Sequence, residues 1–376
     1  MRLYNTLQRT EKKIKSCLRT GYYLAFETKE VNRKRALYKD VHWSDEEKKN
    51  FDSYWMNLLN KRISDKWHKL YQSFNGIYCK EYIPEILYTT YIEPRLNDPL
   101  YSSVFGNKGI TELILHSELV LFPETICYSD GKNFYDSKRR VISENNFWSL
   151  ICNAGEIVIK PAASFGSGTG IMFLNMKDGI DLNTMKTYRD INTMMLSREV
   201  LVQRLFKQHE AIAAINPSSV NTIRITTYIV KGEVHYSPIV LRCGSGGSHV
   251  DNIHSGGLCV AVEDDGSLGN TAYKIGYSDI CERYNFHPVT KTEFCKVKIP
   301  YIKRIIDAAC SLHGRSPHIG IIGWDFSISS DGTPVVIEQN FHGDSIWFPQ
   351  IVHGKSFFRD DSKAIMECVG LRKQKK

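Results

Sequence analysis

No run of eighteen apolar residues occurs in the 376-residue chain, and its first residues lack the apolar block of a secretory signal. A membrane span and an exported precursor are therefore not expected. Cysteine pairing is missing as a pattern: the ten cysteines contain no C-x-x-C pair and none stands at metal-ligand spacing from the twelve histidines. That excludes a disulfide scaffold and a zinc module, and makes a reducing cytoplasm the expected compartment. Internal repeats and low-complexity linkers are also lacking.

A uniform basic surface is absent as well. The formal charge of +8 comes from the ends: residues 1–20 hold six basic side chains and one acidic, residues 371–376 hold four more basic ones, and the remainder is near neutral. Such a body does not suit a nucleic acid duplex. Its basic ends suit peripheral contact with an anionic inner membrane surface or a polyanionic substrate. The length allows two or three domains, and 42% hydrophobic with 24% charged residues is an ordinary globular composition.

Residues 1–40 alternate basic and apolar positions, with Leu3, Leu7, Ile14 and Leu18 on one side of a helix that reads as a docking element before a membrane anchor. Ser44 and Glu47 form a capping box, followed by Phe51, Tyr54, Trp55, Leu58, Leu59, Ile63, Trp67, Leu70, Tyr71 and Phe74 at helical spacing. This predicts one long amphipathic helix or a broken pair, with its aromatic stripe in the core. Lys108 stands just before a short helix near 109–117.

Chemistry concentrates in two stretches. In Gly323–Asn340, two β-branched runs flank Asp331-Gly332, a strong hairpin signal. A turn centred there sets Asp325 across from Glu338, with Asn340 on the same face and Trp324, Phe326, Ile328, Val335, Ile337 and Gln339 on the other. Carboxylates facing each other destabilise a sheet unless one is protonated or a cation lies between them. Two carboxylates and an amide oxygen suit magnesium or manganese.

In the second stretch, 156–174, a buried strand ends in Lys160, passes through a small-residue loop and re-enters a strand. Backbone N–H groups in such a loop approach phosphate closely. It is not a Walker A loop, since a strand follows and no Lys-Ser or Lys-Thr closes it. Downstream, 200–206 reads as a buried strand with Glu210 beyond it, and 219–228 and 235–242 as two strands joined at Lys231-Gly232. A two-residue turn there separates Arg224 and Arg242 onto opposite faces, and a three-residue loop unites them. The glycine- and serine-rich 243–258 suits a mobile cover.

In this order the motifs resemble ATP-grasp enzymes, and in wording the sugar-transfer associated ATP-grasp family: Ser219-Val220-Asn221-Thr222-Ile223-Arg224, Val250-Asp251-Asn252 before Gly256-Gly257, and Trp324-Asp325. The similarity extends over roughly 45–360. It implies an α+β fold of two subdomains clasping ATP behind a helical N-terminal extension. The parts would be a helical region 1–78, an α/β part 79–150, and an ATP-grasp domain 151–370 divided near 205/206.

The resemblance also implies roles. Lys108 and Lys160 contact ATP phosphates, and Ser164, Gly166, Ser167 and Gly168 belong to the phosphate loop. The backbones of Arg204 and Phe206 hold adenine and Glu210 the ribose. Asp325, Glu338 and Asn340 hold Mg2+, two ions being expected and Mn2+ able to replace them. Arg224 and Arg242 stabilise transferred phosphate, and Asn252 sits by the acceptor. Gln203 and Asn107 stand where relatives carry acids. The implied activity is ligation of a small carboxylate to an amine, such as an amino acid and a sugar or nucleotide sugar, in cell-surface polysaccharide synthesis. A phosphotransferase and a non-catalytic ATP-binding partner of a glycosyltransferase complex are the alternatives.

Overall fold

The computed structural model describes residues 2–163, 170–195, 199–245, 256–275 and 281–372. Two antiparallel sheets organise it. The first has seven strands, in the order Val141–Ile142, Phe134–Asp136, Thr125–Asp130, Glu199–Arg204, Gly155–Pro161, Met172–Lys177 and Ile180–Asp181. It takes strands from both sides of the expected 150/151 boundary. The helix Glu144–Cys152 covers it with Phe147, Trp148 and Ile151.

The second sheet runs Cys281–Tyr284, Leu268–Ile275, Leu258–Val262, Ile239–Cys243, Thr222–Val230, Ile321–Ile328 and Pro334–Asn340, with Glu233–Tyr236 also paired to Thr222–Val230. Its two faces differ. Ile223, Ile225, Trp324, Phe326 and Ile328 pack on the helix Ile302–His313. There the Trp324 indole N–H donates to Thr227 Oγ1 at 2.8 Å, Thr227 lies 2.7 Å from His313 Nδ1, and His313 Nε2 lies 3.0 Å from the Ile319 carbonyl. Burial pushes His313 down to about 4, so the ring is neutral, Nδ1 accepting and Nε2–H donating.

The opposite face lies under the N-terminal helices. Ser44 caps Asp45–Leu59 through a full capping box, Glu47 N–H donating to Ser44 Oγ at 3.2 Å and Ser44 N–H to the Glu47 carboxylate at 2.8 Å. Asn60, at φ 55°, ends that helix and Lys66–Asn75 begins a second, so the 51–74 stripe is a broken pair. Phe51, Trp55 and Leu58 pack over Tyr228, Val230 and Ile321; Trp67, Leu70, Tyr71 and Phe74 pack over Val240, Cys259 and Tyr273.

Both hairpins carry one extra residue that sets their register, which realises the expected Asp325–Glu338 pairing in one and decides between the two open registers in the other. Asp325 does pair with Glu338, but nearer the turn Phe326 pairs with Val336 and Ile328 with Pro334. The loop is therefore one residue longer than the two-residue turn assumed, and a bulge at Ile337 restores register. In consequence Val336, rather than Val335, joins the core beside Phe326. In the other hairpin Lys231 (φ 52°) and Gly232 (φ 86°) do form a two-residue turn, with Val230 opposite Glu233. Register then shifts at Ser237-Pro238, so that Val240 pairs with Arg224 and Arg242 with Thr222. Arg224 and Arg242 share a face because of that extra residue.

The first helix, Arg2–Arg33, docks by its C-terminal half, where Glu27 and Val31 are buried. Burial first, then the charge of Glu30, pushes the Glu27 carboxyl up to about 7 against a hydrogen bond from Thr89. Because the folded-state value lies above the ordinary one, the stabilisation is complete below about 4.5 and is lost as pH rises through about 7. Glu27→Gln, which mimics the protonated form, is expected to melt like the parent near pH 5. At pH 8 it should be more stable by up to about 3 kcal/mol, and parallel melting curves at the two pH values would refute this account.

Candidate functional site

Charged side chains of the second sheet stand in one row. Across Ile239–Cys243, Thr222–Val230, Ile321–Ile328 and Pro334–Asn340 it comprises Arg242, Arg224, Asp325 and Glu338 on one face. Arg224 lies directly opposite Asp325 and holds it by Nε to Oδ1 at 2.6 Å and Nη2 to Oδ2 at 2.7 Å. Arg242 Nη2 adds an ion pair to Oδ2 at 2.9 Å. Asp325 is 1% exposed. Burial opposes its charge most strongly, yet the two guanidiniums outweigh it and hold the carboxyl below the ordinary range.

This corrects the expectation that the repulsion of the Asp325/Glu338 pair is relieved only by protonation or by a divalent cation between them, since Asp325 already has two guanidinium partners. Glu338 has a partner of its own, Oε1 lying 3.0 Å from Lys108 Nζ. Lys108 is the first residue of the helix Lys108–Ile114, and its N–H donates to the Ala162 carbonyl at 2.8 Å, which ties it to the end of the Lys160 strand. Asn107, where an acid was expected, caps this helix: its side chain accepts from Gly109 and Ile110 N–H at 3.0 and 3.3 Å and donates to Glu199 at 2.9 Å. An asparagine caps as well as an aspartate. Lys160 is buried, and its ammonium is pushed down to about 8, first by burial and then by the charge of Lys108, with Glu338 and Glu112 pulling the other way.

Sequence reasoning missed Asp344. Arg224 Nη1 pairs with it, and it accepts from Thr226 Oγ1 at 2.8 Å. It packs so closely on Gly323 that no Cβ fits there. Burial first, with Asp325 and Glu93 adding, raises the Asp344 carboxyl despite Arg224 and Thr226. The loop carrying it is held from outside. Glu93 accepts from the N–H groups of Gly343 and Asp344 at 2.8 and 3.3 Å and from His342 Nδ1 at 2.7 Å. Glu85 accepts from the Ser345 hydroxyl at 3.0 Å and Ile346 N–H at 3.2 Å. With His342 Nδ1–H given to Glu93, Nε2 accepts from the Tyr23 hydroxyl at 3.2 Å. The only signal in the sequence was a polar stretch directly after the hairpin, and its pattern does not say which side chain turns inward.

Glu338 and Asn340 fit a hard cation. Asn340 Nδ2 is buried without a hydrogen-bond partner, and a half-turn of the amide presents oxygen at that spot. Asp325 fits less freely, because guanidinium N–H groups already take three of its roughly four lone-pair positions.

The other expected residues stand apart from the row. Arg204 is exposed, its side chain bonded to Glu124 at 3.0 Å and to the Ala154 carbonyl at 3.0 Å. Phe206 is half-buried and Glu210 opens the short helix Glu210–Ala213, exposed. These residues lie where the chain crosses between sheets, His209 N–H donating to the Ile328 carbonyl at 2.7 Å. Gln203 is buried and donates to the Pro123 carbonyl and Thr125 hydroxyl, each at 3.1 Å. Ser164, Gly166, Ser167, Gly168 and Asn252 lie outside the described residues.

The row changes what the two carboxylates do for stability. Asp325→Asn leaves two half-buried guanidiniums undercompensated around a buried position and is expected to cost about 3–5 kcal/mol. Glu338→Gln, on the half-exposed Lys108 pair, should cost only about 0–1 kcal/mol. Denaturant unfolding of both variants measures the contrast, and equal small losses would show that Asp325 is not the structural counter-ion of the arginines.

The sugar-transfer associated ATP-grasp family matches the chain over residues 88–365. No curated protein matches it in sequence. Among solved structures it is similar to an ADP complex of N5-carboxyaminoimidazole ribonucleotide synthetase, at 10% identity and TM-score 0.39, covering 67% of this chain and 48% of that one. It is also similar to VanG D-Ala:D-Ser ligase from Enterococcus faecalis, at 14% identity and TM-score 0.41, covering 73% and 64%. D-alanine–D-alanine ligase from Bacillus anthracis gives 15% identity and TM-score 0.39, covering 73% and 68%. The chain thus spans about half to two thirds of the length of these proteins, and the likeness in shape is loose.

Proposed function

Because this chain belongs to the sugar-transfer associated ATP-grasp family, we propose that it is an ATP-dependent ligase joining a small carboxylate to an amine through an acylphosphate. The observation that carries this reading is the meeting of Lys108 and Lys160 from one side with Glu338, Asp325, Arg224 and Arg242 from the other. Four cations against the carboxylates Asp325, Glu338 and Asp344 leave a place for a polyphosphate.

In the reaction, an oxygen of the substrate carboxylate attacks the γ-phosphorus, the bond to the bridging oxygen breaks, and ADP departs with the electron pair. The amine nitrogen then attacks the acyl carbon, phosphate departs with the carbon–oxygen pair, and the proton from nitrogen passes to phosphate or solvent. Lys108 and Lys160 orient the β- and γ-phosphates, and Arg224 with Arg242 opposes negative charge on the transferred group. Magnesium, or manganese in its place, would be held by Glu338 and Asn340 with Asp325 beside them, one or two ions supplying charge neutralisation between the phosphates. Arg204 and Phe206 backbone, Glu210, the 164–168 loop and Asn252 complete the reading at adenine, ribose, phosphate and acceptor respectively. The substrate classes proposed are amino acids with sugars or nucleotide sugars, in cell-surface polysaccharide synthesis in the cytoplasm; the family's association with sugar transfer supports the sugar part of this reading.

The deciding experiment is an ADP-release screen across pairs of amino acids and uronic or nucleotide sugars. A matched pair is expected to raise ADP and inorganic phosphate together, in equal amounts. ADP with a stable phosphorylated product would instead establish phosphoryl transfer, and no turnover with any pair would favour a binding-only role.

Lys160 gives a second test. A lysine titrating at about 8 loses its charge just above neutrality, so nucleotide affinity is expected to fall by up to about tenfold per pH unit above 8. Lys160→Met should bind weakly and with a flatter profile. Calorimetry from pH 7 to 9 measures both, and a parent profile as flat as that of the variant would remove Lys160 from the phosphate site.

A further inference from the structure

The helix Arg2–Arg33 lies wholly outside the stretch matched by the family. Its two halves have different surroundings. From Arg19 onward one side is docked: Arg19 Nη2 lies 3.1 Å from His342 Nδ1, the Tyr23 hydroxyl donates to His342, and Glu27 and Val31 are buried. Before that, every described side chain from Ile14 to Leu18 is exposed. This part of the helix projects as an arm with no side against the body.

An apolar line runs along the arm and continues onto the outer side of the docked half. Ile14 is 53% exposed, Leu18 70%, Tyr22 62% and Phe26 41%. They recur every fourth residue, so they wind slowly along one side of the helix. Tyr22 and Phe26 stack with ring centres 6.1 Å apart. By sequence the segment is basic: residues 9–19 hold five Lys and Arg against one acid, Glu11; of these Lys15 pairs with Glu11 at 2.6 Å and Arg19 lies against His342. Among the described residues no helix is long and apolar enough to cross a membrane.

We propose that this arm docks the protein on an anionic lipid surface, with Ile14, Leu18, Tyr22 and Phe26 entering the interfacial region and the net positive charge of the segment drawing it to the headgroups. Charge complementarity selects this occupant. A second copy of the arm would bring one positive segment against another, whereas an anionic bilayer satisfies the apolar line and the net positive charge of the segment at once. Residues 21–370 are near neutral, which leaves the attraction to the arm and to the four basic residues of 371–376.

Docking by this side has a geometric consequence. Tyr22 faces outward while its neighbour Tyr23 bonds His342, two residues beyond Asn340. About one helix diameter, 10–12 Å, then separates the lipid-facing side from the loop beside the candidate site. A substrate carried at the membrane surface would be within easy reach.

Flotation of the full-length protein with vesicles tests the proposal. Binding to vesicles of phosphatidylcholine with phosphatidylglycerol is expected to exceed binding to phosphatidylcholine alone by about tenfold or more, and to fall as salt is raised. The double variant Ile14→Glu/Leu18→Glu should lose about tenfold or more of that binding, with unchanged circular dichroism and melting temperature. Failure to float with anionic vesicles, equal binding to both vesicle types, or undiminished binding of the double variant would each overturn the proposal. So would a dimer in light scattering that the double variant converts to monomer while vesicle binding is absent.

Discussion

The structure around the candidate site depends on one half-buried guanidinium. Arg224 lies between the buried carboxylates of Asp325 and Asp344, where water compensates either sign poorly. Under those conditions each charge is tolerable only with its partners in place, and loss of one partner costs far more than the pair contributes. The neighbours follow from this. Gly323 lacks a Cβ because Asp344 occupies that space, Thr226 donates to the remaining carboxylate oxygen, and Arg242 supplies the second cation for Asp325.

Asp344 reaches Arg224 only because its loop is anchored on the far side by Glu85 and Glu93. These two acids are eight residues apart, and on an α-helix two turns take about seven residues, so they would diverge around the axis. Between them Tyr88–Ile92 forms a π-helical turn. A π turn holds an extra residue, which lengthens two turns to about eight and brings both carboxylates to the same side. One accepts from Gly343 and Asp344, the other from Ser345 and Ile346. A backbone irregularity remote from the chemistry thereby sets the position of a charge beside it.

What could be read in advance follows from the range of the interactions involved. The capping box at Ser44, the aromatic stripe, the Lys160 strand and the Asp325–Glu338 pairing all express local periodicity or turn chemistry. The family resemblance supplied their order and roles. Register within the hairpins was harder, because a bulge is a single extra residue whose cost depends on packing of the neighbouring strands. In both hairpins such a residue, at Ile337 and at Ser237-Pro238, decided which side chains share a face. Asp344, Glu93, Glu85 and Glu27 were illegible for a different reason. Their burial comes from contacts distant in the chain, Glu27 lying by Thr89 and Glu93 being separated from Gly343 by 250 residues, and a lone acid in a sequence is ordinarily a solvated one.

The pairing within the row also bears on selectivity. An arginine held ready in water would attract any anion. Here an incoming group gains at Arg224 only the difference between its own interaction and the ones Asp325 and Asp344 already make. A singly charged anion offers little over a carboxylate in ideal bidentate geometry. A polyphosphate that meets Lys108 and Lys160 at the same time gains from several cations in one event, including a buried lysine whose charge is strained by its surroundings. Under the proposed function, pre-paired cations would thus reject weak anions by competition while still accepting a group that spans both sheets, before any contact to the base or sugar is counted.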